Sequence, residues 1–329
     1  MNEQMKAYIY DGAGGPEVLK LIERPIPQPG AGEVLIKIEA FGLNRADVQQ
    51  RIGVYPPPPG ATDIPGLEAA GTIAAVGDGV TGHKIGDRVA ALMASGGYAQ
   101  YVVVAEELLF DIADDMPLSD AAGLPEVAST VVSNIFMVGQ LSAGQSILIH
   151  GGAGGIGSMA IQLAKAHGAT VYVTAGSQEK IDYCLELGAD AGINYRDEDF
   201  VQRISELTAG NGIDVILDVI GAKYLAQNIK ALAVGGRLVT IGLQGGAKAE
   251  LNLGILLSKR ASVHATSLRP RPLEQKAQIV QETKRYIQPL LESGKLKLNV
   301  GRTFGFDQVA AAHEYFDSGM HLGKIIVTQ

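Results

Sequence analysis

Residues 147 to 157 read ILIHGGAGGIG, a run of branched apolar residues broken by five glycines within seven positions. Glycine loses more conformational freedom on folding than any other residue, so such a cluster marks a backbone that requires it. The segment that follows, SMAIQLAKAHGA, carries Met159, Ile161, Leu163 and Ala164 at helical spacing. The order is strand, glycine turn, helix. Gly152, Gly154 and Gly157 fit G-x-G-x-x-G. A turn of this kind points backbone N–H groups and a helix N-terminus at a pyrophosphate, and its small residues let the phosphates approach. Taken alone, the motif fits a plain tight turn as well; its surroundings decide.

From about residue 146 the chain alternates strand and helix. The predicted strands are SILIH, TVYVT, AGIN, DVILDVI, RLVTIG and SVHATS, with helical patterns SQEKIDYCLELG, EDFVQRISELTAG and KYLAQNIKALAVGG between them. Gly168, Gly188, Gly210 and Gly235 stand where helices commonly end. Six strands with crossover helices predict a doubly wound parallel sheet. The glycine turn then follows the first strand and opens the first helix, which is the context a dinucleotide site needs.

Residues 1 to 125 differ. Short alternating strands (MKAYIY, EVLKLIE, EVLIKIEAFGL, AAGTIAAVG, DRVAAL, YAQYVVV) are separated by proline and glycine turns such as RPIPQPGAGE and YPPPPG, as in a mainly β domain. The tail ends in a helix and a strand, KIIVTQ. Six strands already complete the parallel sheet, so this tail is predicted to return to the β domain. The predicted class is α/β: a mainly β domain over 1–126 and 268–329, interrupted by a Rossmann domain over 127–267, with the active site expected in the cleft. A length of 329 residues suits two domains.

Charge and cysteine usage narrow the function. A net charge of −8 argues against nonspecific nucleic-acid binding, which needs a basic surface. The single cysteine, Cys184, lies in a helical pattern and reads as packed; it allows no internal disulfide and no cysteine metal cluster. No stretch reads as a signal peptide, and no apolar run reaches the roughly 18 residues of a membrane span. The expectation is a soluble, cytoplasmic protein with no nucleic-acid or membrane partner.

In this order of domains the chain resembles the medium-chain dehydrogenase/reductase superfamily. Within it, GLNRADVQQRIGVYPPPPG, IPGLEAAGTIAAVG, IGDRVAAL, GGYAQYVVV, ILIHGGAGGIGSMAIQLAKAHGA and HLGKIIV resemble the zinc-free quinone oxidoreductases. VTAGSQEK and LPEVASTVVSN are most similar to the tumour-suppressor-inducible, zeta-crystallin-like branch. The resemblance spans the chain. It implies a GroES-like catalytic domain, NADPH as cofactor, a quinone-type small-molecule acceptor, and a homodimer joined through ASVHATS, the last strand of the Rossmann sheet. It also implies cofactor contacts. Gly152, Gly154, Gly155, Ile156 and Gly157 form the turn, and Ser177, Lys180 and Tyr195 hold the 2′-phosphate. Asn44, Thr130, Leu243 and Lys324 supply the remaining contacts.

Zinc alcohol dehydrogenases carry a Cys after the third strand and a Gly-His-Glu further on. Here those places read GLNRAD and GLEAAG, with Asn44 near the Cys and Leu67 at the His. Glu68 remains and reads as a structural carboxylate paired with a backbone or Arg group. Zinc needs three or four N, S or O ligands in tetrahedral reach, so no metal is expected. A quinone accepts hydride readily and its reduced anion is delocalised, so the protein's task is to hold two rings together and exclude water.

Other candidates have two readings each. Asn44 offers an amide to the cofactor and also stands as a helix N-cap with Asp47 at N3. Tyr55, before Pro56 to Pro59, offers a ring and a hydroxyl to an acceptor and serves equally as a structural aromatic. Thr130 is a cofactor contact or a buried helix hydroxyl. Arg269 and Arg271, in SLRPRP, either steer an anionic ligand or are exposed and solvated, the favoured reading, and His150 reads as structural in preference to catalytic. For the cofactor, an NAD site places an acid at the end of the second strand. After TVYVT the chain has Gly176 and Ser177 instead, with Lys180 one turn on; Glu179 either faces the ribose, which would favour NADH, or projects to solvent, the favoured reading. The favoured activity is NADPH-dependent quinone reduction. The alternatives are a reductase of α,β-unsaturated carbonyls and a crystallin-like NADPH-binding protein.

Overall fold

A computed structural model describes residues 3–329 as two compact units. The first comprises residues up to Ser129 with Leu268–Lys284 and Leu298–Gln329; the second comprises Thr130–Ser267 with Arg285–Lys297.

The second unit is a six-stranded sheet, every neighbouring pair parallel. Its order is Ala191–Asn194, Thr170–Ala175, Ser146–His150, Ile213–Asp218, Leu232–Thr240, Ser262–Ala265. In chain order this is 3-2-1-4-5-6, the doubly wound arrangement, with its switch point between Ser146–His150 and Ile213–Asp218. Strands covered on both faces need continuous apolar runs. Ile147, Leu148, Ile149, Val171, Val173, Val215, Ile216, Leu238 and Val239 are accordingly all fully buried.

Three details depart from the sequence reading. The pattern KYLAQNIKALAVGG is not one helix: the helix Leu225–Ala231 stops at Leu232, where the fifth strand begins. Gly235 is therefore not a helix end but a positive-φ residue (φ 80°) inside that strand, beside a shift in its register. Residues 285–297 group with the parallel-sheet unit and not with the β unit. There Tyr286 stacks on Phe136 with ring centres 4.6 Å apart, and Lys297 exchanges hydrogen bonds with Gln162.

The first unit is built on a seven-stranded sheet whose path runs Val300–Gly305, Lys324–Thr328, Glu33–Gly42, Glu68–Val76, Arg88–Leu92, Leu109–Asp111. Tyr101–Ala105 pairs alongside Glu33–Gly42. The tail does return: Lys324–Thr328 lies antiparallel to Glu33–Gly42 and parallel to Val300–Gly305. A separate hairpin pairs Gln4–Tyr10 with Leu19–Pro25. The predicted strand EVLKLIE starts only at Leu19, because Pro16–Val18 forms a 3-10 turn with proline at its first position. Among the described residues no helix is long and apolar enough to cross a membrane.

Candidate functional site

The glycine turn lies at the end of the strand Ser146–His150 and opens the helix Gly155–Ala166, with Gly154 as N-cap. Its glycines have separate reasons. Gly151 adopts φ 74°, a left-handed conformation. A Cβ on Gly152 would lie 2.8 Å from Cβ of Val173 and 3.0 Å from Sγ of Cys184, so this glycine lets the turn sit down on the neighbouring strand and helix. A Cβ on Gly157 would strike the carbonyls of Gly151 and Gly152 at 2.5 and 2.4 Å, so here the helix itself must come close to the turn. Gly154 differs: the nearest atom to an added Cβ is 3.8 Å away. Packing does not demand a glycine there, whereas a closely approaching pyrophosphate would. Gly154, Gly155 and Ile156 are all partly exposed. His150, just before the turn, is a core residue. Nδ1 faces Thr174 Oγ1 at 3.0 Å, Nε2 faces Asn228 Oδ1 at 2.7 Å, and burial lowers its pKa to about 4.

At the end of the second strand the structure gathers Ser177, Lys180 and Tyr195. Ser177 caps the helix Gln178–Glu186, its Oγ accepting from the Lys180 N–H at 3.4 Å. A Cβ on Gly176 would lie 2.5 Å from the Tyr195 hydroxyl and 3.4 Å from Nε of Arg196. Arg196 is the residue that sequence reasoning missed, although it was legible as a second basic group in INYRDED. Lys180 has its pKa lowered by burial first and by Arg196 second. Two cations close enough to repel each other suit a doubly charged phosphate. Glu179 is exposed. Leu243, 53% exposed, lies beside Gly221, in a loop pair tied down by Asp218, which accepts from the N–H groups of Ile220 and Gly221.

In the β unit, Asn44 and Lys324 meet. Asn44 precedes the helix Arg45–Arg51, and the Asp47 carboxylate reaches back to its N–H at 2.8 Å. Its side chain turns elsewhere: Oδ1 accepts from Nζ of Lys324 at 2.9 Å, and Nδ2 donates to Oε1 of Glu68 at 3.0 Å. A cation on one side and a carboxylate on the other fix which way the amide faces. Lys324 spends its three donors on Leu43 O, Asn44 Oδ1 and Glu68 Oε1. Glu68 Oε2 accepts from the N–H of Glu126 at 2.9 Å. Glu68 thus pairs with the backbone, as read from the sequence, but its cation is Lys324 and not an arginine. Gly42 is required opposite it, because a Cβ there would lie 2.3 Å from Oε1 of Glu68.

This cluster continues through a second buried set. Arg51 Nη1 lies 3.0 Å from His313 Nδ1, and His313 Nε2 lies 3.0 Å from the Tyr98 hydroxyl, which lies 3.3 Å from Asp47 Oδ2. Arginine always donates, so Nδ1 accepts and Nε2 carries the proton. Burial, then Arg51, lowers the His313 pKa to about 3. Burial raises Asp47 to about 6. Burial and then the Glu68 carboxylate raise Glu126 to about 8. Leu67 is buried at 1% exposed and offers only hydrocarbon, and among the described residues no group of three or more His, Cys, Asp or Glu is arranged to hold a metal.

Tyr55 is half-buried, and the guanidinium of Arg269 lies 5.5 Å from its ring centre. Arg269 corrects the sequence reading: it is 4% exposed, drawn inward by the Ala94 carbonyl and the Gln50 side chain. Arg271 is half-exposed. Thr130 is 7% exposed and begins the parallel-sheet unit, where its carbonyl accepts from Asn134. The turn and phosphate residues belong to that unit and Asn44, Tyr55 and Lys324 to the other.

Residues 155–282 match the family model of zinc-binding dehydrogenases, and residues 30–114 that of alcohol dehydrogenase GroES-like domains. The quinone oxidoreductase of Rattus norvegicus is 33% identical over 95% of this chain and 94% of its own. The solved quinone oxidoreductase of Pseudomonas syringae pv. Tomato DC3000 is 34% identical, covers 99% of this chain and 100% of its own, and superposes with a TM-score of 0.87. That of Escherichia coli, solved in complex with NADPH, is 30% identical with the same coverage and a TM-score of 0.87.

Proposed function

The chain belongs to the quinone oxidoreductase family of the medium-chain dehydrogenase/reductases, and from that we infer that it reduces quinones with NADPH and without a metal. The observation that carries the reading is the closed polar set of Asn44, Glu68 and Lys324 beside Leu67. Where a zinc enzyme needs ligands, this chain puts hydrocarbon and an internal ammonium–carboxylate pair.

The glycine turn offers backbone N–H groups to a pyrophosphate, and Gly154 leaves the space for it. Ser177, Lys180, Tyr195 and Arg196 hold the 2′-phosphate, which the absence of a carboxylate at Gly176 and Ser177 permits. Bound NADPH supplies the hydride. Asn44, locked by Lys324 and Glu68, presents a fixed amide to the nicotinamide end. Tyr55 offers its face to the acceptor ring. The chain's contribution is alignment and exclusion of water, which suits an acceptor as reactive as a quinone and suits alcohol oxidation poorly.

The test is NADPH oxidation with 1,4-benzoquinone and 9,10-phenanthrenequinone before and after exhaustive chelation, with elemental analysis of the purified protein. Steady turnover unchanged by chelation is expected. Turnover that needs one zinc per chain would sink the metal-free mechanism. Tight NADPH binding without quinone turnover would favour the crystallin-like alternative.

A further inference from the structure

His150 ends a strand whose preceding residues, Ile147, Leu148 and Ile149, are fully buried hydrocarbon, and it is itself only 1% exposed. An imidazole in that place is costly unless both its nitrogens are met. Both are. Nε2 lies 2.7 Å from Oδ1 of Asn228, and Nδ1 lies 3.0 Å from Oγ1 of Thr174. An amide oxygen only accepts, so Nε2 carries the proton and Nδ1 accepts from the threonine hydroxyl. Burial keeps the ring neutral, with a pKa of about 4. Phe200 and Tyr224 pack edge-to-face against it, each with ring centres 5.0 Å away, and hold its plane. The two partners lie on opposite sides of the switch point. Thr174, in register with His150 on the neighbouring strand, also accepts on its carbonyl from the N–H groups of Gly151 and Gly152, at 3.1 Å each. It holds the glycine turn by its backbone and the imidazole by its side chain. Asn228 belongs to the helix Leu225–Ala231, which follows the strand Ile213–Asp218. Its side chain is fully buried with Nδ2 unpartnered, so packing alone would favour a leucine there; the bond to His150 is what the amide supplies.

We propose that His150 is a positioning residue for the dinucleotide: it braces the glycine turn against the helix Leu225–Ala231, so that the two halves of the parallel-sheet unit present one fixed register to the cofactor. This rests on the reading of the chain as an NADPH-binding protein. Ser177 and Lys180, assigned to the 2′-phosphate, follow closely after Thr174. Gly221, beside Leu243, lies in the segment that leads into the helix carrying Asn228. A dinucleotide touches both sides at once and binds well only when they are in register, whereas a mononucleotide touches one side. A brace in place before binding spares the cofactor the cost of ordering the two sides. Hydrocarbon could fill the same volume, but apolar contacts are non-directional and tolerate small slides, which two hydrogen bonds of fixed direction resist. His150 touches no cofactor atom and moves no proton; it acts through Thr174 and Asn228.

The test uses the full chain as wild type, as His150→Leu, and as a triple variant combining His150→Leu with Thr174→Val and Asn228→Leu. His150→Leu strands two buried polar side chains, so its melting temperature falls. The triple variant strands none and fills the space with hydrocarbon, so most of that loss returns. Calorimetry then gives Kd for NADP+ and for adenosine 2′,5′-bisphosphate, which carries the adenosine half alone. In the triple variant Kd for NADP+ rises about tenfold over wild type, while that for the bisphosphate stays within about twofold. Recovery of NADP+ affinity together with stability means that the histidine only fills the core, and it overturns the proposal while leaving the NADPH reading standing. An equal loss for both ligands overturns it too. Where a variant does not fold, wild type decides: NMR of its histidines follows exchange of the His150 Nε2 proton with water. NADP+ slows that exchange by about tenfold or more and the bisphosphate by less than about twofold, and equal effects of the two overturn the proposal. A wild type that binds neither ligand defeats the NADPH reading itself, and the proposal with it.

Discussion

Lys324 and Glu68 form an ion pair inside the β unit, with 7% and 0% of their side chains exposed. Removing one member leaves an unpaired buried charge, which costs about 3–5 kcal/mol. Lys324→Met and Glu68→Gln should each lower the urea midpoint markedly. The double variant should lose less than the two single losses added, since it strands no charge. Strict additivity in that cycle would show that the pair is not coupled.

Cofactor choice should depend on Lys180 and Arg196 together. Hydrogen bonds to charged groups contribute about 1.5–3 kcal/mol each, so wild type is expected to prefer NADPH over NADH by at least about tenfold in kcat/KM. Lys180→Ala and Arg196→Ala should each erode that preference, and the double variant should abolish it with little loss of NADH activity. Equal use of both cofactors by wild type would remove the basis for this assignment.

Tyr55→Phe should retain most of kcat on simple quinones, because only the hydroxyl goes and the ring stays near Arg269. Tyr55→Ala should raise KM. A loss of about 10²- to 10⁴-fold on Tyr55→Phe would instead identify the phenol as a general acid.

The half-buried carboxyl of Glu126 gives stability a direction in pH. Burial and the Glu68 carboxylate raise its pKa from 4.5 to about 8, so across that range the folded state holds a proton that the unfolded state releases. Its stabilisation is complete below pH 4.5 and is lost as pH rises through 8. His313 and His150, with lowered pKa values, act in the opposite sense until their imidazoles in the unfolded state, with a pKa of 6.5, have lost their protons at about pH 7.5. Between pH 6.5 and 8 they offset part of the Glu126 loss, so wild-type stability should fall by about 1 kcal/mol, a fall that Glu126→Gln should remove. Denaturant midpoints at several pH values check this; a flat wild-type profile would refute it.

The strand Ser262–Ala265 ends the parallel sheet with Val263 38% exposed, and the preceding helix Leu253–Lys259 exposes Leu253 at 66% and Leu257 at 79%. An apolar sheet edge of this kind is a pairing surface. We expect a homodimer joined edge to edge here. Light scattering should give twice the chain mass for wild type and a monomer for Leu257→Glu with Val263→Glu. A monomeric wild type at micromolar concentration would count against it.

Much of this was readable from local pattern. The strand–turn–helix around Gly152 announces itself because apolar runs, glycines and helical spacing all lie within two dozen residues. Asn44, Ser177, Lys180 and Tyr195 were named as cofactor contacts through the family resemblance, carried over residue by residue. What escaped was set by distant partners. SLRPRP looks like a surface turn, and nothing local says that Ala94 and Gln50 will draw Arg269 inward. Nor does HLGKIIV reveal that Lys324 will find Glu68 and Asn44, both far back in the chain. The helix pattern KYLAQNIKALAVGG misled because alanine and leucine suit a helix and a buried strand alike, and the boundary at Leu232 is set by pairing with Ile213.

The place of Lys324–Thr328 in the β sheet has a bearing on synthesis. It lies between Val300–Gly305 and Glu33–Gly42, and it carries the ammonium that Asn44 and Glu68 share. The parallel-sheet unit needs nothing beyond residue 297, so it can fold while translation continues. The β unit begins first on the ribosome and is completed after its inserted neighbour. Until residues 324–328 emerge, the edge of Glu33–Gly42 that they will pair with is open and the Glu68 carboxylate lacks its cation. The nascent chain therefore passes through an interval in which nucleotide can be held before the β unit is complete, and in which that unpaired edge is the surface a chaperone would have to shield.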